Sequence, residues 1–116
     1  RALAVHGNLP RPVAVAGPFD VLVAPYLRRL KEIRRLHPDA TLLAVLTDPE
    51  RPFLDLQARA ELVAALADVD FVVLPDGGEW EKAVASVAPI AVYREQETQE
   101  RERQALVDHV LARYGN

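Results

Sequence analysis

Gly17-Pro18-Phe19-Asp20 stand together directly after the short apolar run Val13-Ala14-Val15-Ala16 and just before a stretch with helical spacing. A glycine at such a junction lets a ligand come close to the backbone, and the start of the following helix favours an anion. The chemistry this turn can do is to hold a phosphate or carboxylate. The plainer alternative is a strand-to-helix turn with no ligand. A second polar cluster, Thr47-Asp48-Pro49-Glu50-Arg51-Pro52, follows the apolar segment ending at Leu46. Other chemistry-bearing residues are scattered. There is no cysteine, which excludes disulfides, thiolate metal sites and a cysteine nucleophile. His6, His37 and His109 lie far apart and read as ordinary surface or partly buried residues. No His, Asp or Glu cluster has metal spacing, and no Gly-x-x-x-x-Gly-Lys loop is present. Glu79 and Glu81 flank Trp80 without forming a catalytic pair, and Trp80 reads as packed rather than stacked on a base.

The elements that must position these residues alternate. Val13 to Ala16, opened by Pro12 and closed by Gly17-Pro18, reads as a buried strand. Leu3 to Val5 is a candidate extra strand or the tail of a lost helix, with a turn at Gly7-Asn8. Pro25 to Leu36 has helical spacing, with Leu27, Leu30, Ile33 and Leu36 as its apolar stripe and five basic residues on the other faces. Pro25 suits a first turn, and His37-Pro38-Asp39 stops the helix. Thr41 to Leu46 is continuous and apolar, as in parallel strands covered on both faces. A second helix is expected from about Leu56 to Ala67, with Ala58, Leu62, Ala65 and Leu66 inside. Phe71 to Leu74 is a third strand, Pro75 to Gly78 a turn, Trp80 to Val87 a short helix and Ile90 to Tyr93 a weaker strand. Gln96 to Tyr114 is a long helix with a very polar first half. Its second half carries Leu106, Val110, Leu111 and Tyr114 and is expected to dock on the body, with Gly115 as its cap.

This alternation predicts an α/β domain: a Rossmann-like parallel sheet with helices on both faces and a long C-terminal helix. The 116 residues suit one domain, residues 1–116, and half of them are apolar, enough for a core. No apolar run approaches the ~20 residues that span a bilayer, so no membrane role is expected. The net charge of −3, with both signs interspersed, argues against a nucleic-acid surface. No signal peptide is visible, and the lack of cysteine fits the cytoplasm. The chain opens on Arg1 rather than methionine, which leaves a preceding segment open.

In such sheets ligands bind beyond the carboxyl ends of the strands. There the chain resembles a family. Gly17-Pro18-Phe19-Asp20-Val21-Leu22 is similar to the Gly-x-Phe-Asp-x-x start of the cytidylyltransferase-like nucleotidyltransferase signature. Thr47-Asp48 resembles the polar end of that family's second strand. Arg51-Pro52, then Gln57 to Leu62 and Ala65 to Val73, resemble its Arg-led helix running into a Val-Asp-x-Val strand. The match is closest to heptose-phosphate adenylyltransferases and glycerol-phosphate cytidylyltransferases, and it covers about Val13 to Val92.

The resemblance implies a crevice in which Gly17, Phe19, Asp20, Asp48, Arg51 and Arg59 bind a nucleotide. Structural roles stand beside these: Asp20 capping the following helix, and Arg59 pairing with an acid such as Asp55. The family's His-x-Gly-His, which holds the phosphates, is replaced by Val23, Ala24, Pro25 and Tyr26. Valine donates nothing, proline has no N–H, and tyrosine is uncharged near neutral pH. The family's late Ser-Thr-Thr motif is reduced to Thr98. Transfer depends on neutralising developing charge, so these losses imply a catalytically degenerate domain acting as a binding or interaction module, with a protein partner or a second copy. The charged half of the last helix is its candidate contact surface. The alternative is an active enzyme moving AMP or CMP from ATP or CTP, with Mg²⁺, to a phosphorylated sugar or polyol and releasing pyrophosphate. Tyr26, Arg28 and Arg51 would then replace the histidines. A third reading keeps nucleotide or sugar-phosphate binding without chemistry.

Overall fold

The computed structural model describes residues 9–49, 51–74 and 80–114. The candidate strand Leu3 to Val5, the turns at Gly7-Asn8 and Pro75 to Gly78, His6, Glu50, Glu79, the side chain of Tyr114 and the cap at Gly115 fall outside them. The elements run β1 (Pro12–Gly17), α1 (Ala24–Leu36), β2 (Thr41–Leu46), α2 (Leu56–Ala64), β3 (Phe71–Val73), α3 (Trp80–Ala85), β4 (Ala91–Arg94) and α4 (Gln96–Tyr114).

The four strands form one parallel sheet in the order β3-β2-β1-β4. Val13 lies opposite Leu42 on one side and Ala91 on the other, and Val15 opposite Ala44 and Tyr93. β1 and β2 are buried along their whole length, which explains their unbroken apolar sequence. Alternate side chains go to opposite faces. Val13, Val15, Leu42, Ala44 and Leu46 pack with Leu30 and Ile33 of α1 and Val63 of α2. Ala14, Ala16, Leu43 and Val45 pack with Val84 of α3, Val87 and Trp80. The α/β parallel architecture expected from the sequence is therefore the observed one.

Three helix faces differ from the expected ones. In α1 the buried residues are Tyr26, Leu30 and Ile33, while Leu36 is exposed. At about 100° per residue, the nine positions from Leu27 to Leu36 turn through a half circle, so those leucines cannot share a face. In α2 the inner side is Leu56, Arg59, Ala60, Val63 and Ala64, and Leu62 and Ala65 are exposed. A buried arginine on the stripe disguised it. In α4 the expectation is reversed: the polar half docks through Gln99 and Arg103, and Leu106, Val110 and Leu111 are exposed.

Candidate functional site

The carboxyl ends of β1 and β2 open onto three loops, and Arg59 ties them together. It is 2% exposed. Its Nε donates to Leu54 O at 3.1 Å, and its Nη1 to Pro18 O at 3.1 Å and Thr47 O at 2.9 Å. Asp48, on the rim and mostly exposed, lies 3.8 Å from Nη2. Asp55 is the N-cap of α2, accepting from Ala58 N at 2.8 Å, and is not the partner of the Arg59 guanidinium. The α2 helix thus delivers a cation whose donors are directed at backbone carbonyls.

Asp20 is fully buried. It accepts from Phe53 N at 2.7 Å and Leu54 N at 2.8 Å, holding the loop before α2. It does not cap α1, whose N-cap is Val23 with no side-chain cap bond. The loop between Gly17 and Val23 carries strain: Phe19 has φ 48° and Val21 φ 68°. A β-branched residue in the left-handed region persists only where its surroundings hold it, at a cost of about 1–3 kcal/mol.

α4 lies over this loop. β4 leads into it through Glu95, whose N–H donates to Ala16 O at 2.8 Å. One turn on, Gln99 is 4% exposed, and its Oε1 accepts from Phe19 N at 2.9 Å. Its amide rests on Gly17 so closely that a Cβ there would stand 2.5–2.7 Å from the amide atoms. The glycine expected to admit a ligand admits a side chain of the same protein. The hydroxyl of Tyr26 donates to Gln99 O at 2.5 Å. A further turn along, Arg103 is 7% exposed. Its Nη2 donates to Arg51 O at 2.6 Å and its Nη1 to Glu100 at 2.7 Å. The guanidinium sits 4.1 Å from the centre of the Phe53 ring. Arg103 Nε is 3.3 Å from Asp20 Oδ2, within ion-pair distance but misaligned, so this buried N–H makes no hydrogen bond.

Carboxylates crowd the Tyr26 hydroxyl. Burial, then the carboxylates of Glu102 and Glu100, push the Tyr26 hydroxyl up to about 12, with Arg103 opposing and Asp20 adding to the rise. At the start of α1, Pro25 has no N–H and Tyr26 N donates to Val23 O, so those two positions offer an anion nothing. The side chain of Arg51 is exposed, and only its carbonyl enters the network.

Gly17, Phe19, Asp20 and Arg59 are therefore brought together, Asp48 lies at their edge, and Arg51 contributes backbone. Open clefts among the described residues include one of about 690 Å³ lined by Arg28, Lys31 and Arg35 among others, and one of about 450 Å³ between α2 and β3. None of the six expected nucleotide-binding residues lines either. Trp80 packs on the sheet with Arg94 over its ring at 5.0 Å. His37 Nε2 lies 2.8 Å from Tyr93 Oη, away from the crevice. Among the described residues no group of three or more His, Asp or Glu could hold a metal ion. No helix among them is long and apolar enough to cross a membrane. The sequence reading missed Gln99 and Arg103. Their signal was their spacing of four on a helix half that lacks an apolar stripe.

No protein-family model matches the chain. It is 39% identical over 77 aligned residues to the bifunctional protein HldE of Magnetococcus marinus, a match taking in 60% of this chain and 16% of that protein. The chain thus corresponds to a small part of that relative's length. It is also similar to the crystal structure of the lipopolysaccharide core biosynthesis protein from Thermoplasma volcanium, with a TM-score of 0.61, 27% identity and 70% of each chain covered. Joined to the parallel sheet and the Gly17-to-Asp20 turn at its carboxyl end, these two likenesses support a nucleotidyltransferase-like domain of the cytidylyltransferase-like kind.

Proposed function

We propose that this domain transfers no nucleotide and serves as a binding or interaction module. The observation that carries the reading is the Gln99 amide seated on Gly17 and bonded to Phe19 N. A triphosphate needs that space and that N–H. It also needs uncommitted positive charge, and the two guanidiniums of the crevice, Arg59 and Arg103, are held by backbone carbonyls and by Asp20 and Glu100. The residues present do not fit ATP or CTP with Mg²⁺. The interaction surface on this reading is the distal half of α4, where Leu106, Val110 and Leu111 stand exposed.

The competing reading, an active adenylyl- or cytidylyltransferase, requires Tyr26, Arg28 or Arg51 to replace two histidines. The Tyr26 hydroxyl is committed to Gln99 O and, with its pKa pushed up to about 12, is neutral near pH 7. Arg28 and Arg51 are exposed. The deciding assay is pyrophosphate release from ATP or CTP with Mg²⁺. The acceptors to offer are heptose 1-phosphate and glycerol 3-phosphate, those of the families that the sequence resembles. No release is expected. Turnover that Tyr26→Phe abolishes would reverse the reading.

A further inference from the structure

We propose that α4 is a releasable lid, with Gln99 as the latch that closes it over Gly17. Among the described residues no apolar side chain of α4 belongs to either core cluster. Its two buried side chains, Gln99 and Arg103, are polar. The seat includes the Gln99 bonds to Phe19 N and the Tyr26 hydroxyl, the Arg103 contacts to Asp20, Arg51 O and the Phe53 ring, and the Glu95 N–H on Ala16 O.

Such a seat differs in kind from that of β1 and β2. Hydrogen bonds broken there are replaced by water, so each adds little net holding power, whereas removing α1 or α2 would expose the core. The seat is also imperfect, because the Arg103 Nε proton is buried without an acceptor. Glu95 alone separates β4 from α4, which supplies a short hinge. α4 therefore opens as a local event while the sheet stays folded. Opening uncovers Gly17, Phe19 N–H and Asp20 together. A ligand for the crevice must compete with Gln99, and its apparent affinity falls by the open fraction. This holds whether or not the domain retains nucleotide chemistry, so a positive turnover assay would leave the lid standing.

Hydrogen exchange read by mass spectrometry on the whole chain tests it. Amides 97–104 should exchange ~100-fold faster than amides 13–16 and 42–46, at a rate insensitive to low urea. Two substitutions attack the latch from opposite sides. Gln99→Ala removes the amide. Gly17→Ala places a methyl in its space, and the backbone there lies outside the left-handed region. Each should speed exchange at 97–104 by about tenfold further and leave the core amides unchanged. Exchange of 97–104 at the core rate with the core's urea dependence would overturn the proposal. So would the absence of any change in Gln99→Ala.

Discussion

Replacing Arg59 by methionine separates a loop staple from a ligand-binding cation. Methionine fills similar apolar space but donates nothing, so Pro18 O, Thr47 O and Leu54 O all lose a charged donor. A carbonyl left unpaired in the interior costs about 1–3 kcal/mol. Pro18 is buried and bears the full loss, while Thr47 and Leu54 are half-buried and recover some water. Burying a guanidinium is itself unfavourable, and that cost is returned. The net expected destabilisation is about 3 kcal/mol, a large share of the roughly 5–15 kcal/mol such a domain possesses. It should appear in urea unfolding as a lower midpoint at unchanged slope, and as a fall in Tm of roughly 10–20 °C. Arg59→Lys should lose nearly as much, because one ammonium cannot span three carbonyls in the geometry of a guanidinium fork. A cation kept for a ligand would behave in the opposite way, since removing it from the ligand-free protein leaves stability unchanged or raises it. A loss below about 1 kcal/mol for Arg59→Met would refute the staple.

Further tests follow from the same network. Asp20→Asn turns one acceptor into a donor facing the Phe53 or Leu54 N–H and removes the buried carboxylate beside Arg103, which keeps Glu100; a loss of about 2–4 kcal/mol is expected by urea unfolding. Tyr26 ionises near pH 10 in the unfolded chain and near 12 in the folded one, so folding favours the neutral form. Its stabilisation is complete below pH 10 and drains away as pH rises toward 12, by at most about 2–3 kcal/mol, and Tyr26→Phe should lose less stability over that interval when both are unfolded at pH 9 and 11.5. Leu111→Gln, on the exposed face of α4, should change stability by less than about 0.5 kcal/mol; a loss above 2 kcal/mol would mean this half of the helix docks after all.

The sheet was legible because parallel strands buried on both faces leave an unmistakable record, as in Val13 to Ala16 and Thr41 to Leu46. The turn at Gly17 to Asp20 was legible because glycine and proline punctuate a strand's end. The filling of that turn was not. Gln99 is 80 residues from Phe19 in sequence, and a glutamine on a charged helix reads as solvated. Arg59 was singled out for its charge, but the partners that fix its role are carbonyls, which every residue carries and no sequence distinguishes. The mistaken seat of α4 has the same origin. Apolar residues in its second half suggested burial, yet α4 is seated by Gln99 and Arg103 of its first half, and among the described residues neither core cluster takes an apolar side chain from it.

The proposal rests on Gln99 holding the crevice closed, seated on Gly17 and bonded to Phe19 N, against a nucleotide's phosphates. The Phe19 amide is its most direct reporter, because its proton is bonded to Gln99 Oε1 in the closed crevice. In a ¹⁵N-resolved NMR titration with ATP or CTP and Mg²⁺ up to millimolar concentration, the account predicts that this resonance and that of Gly17 stay where they are. A saturating shift of both, at nucleotide concentrations in the micromolar range, would contradict it.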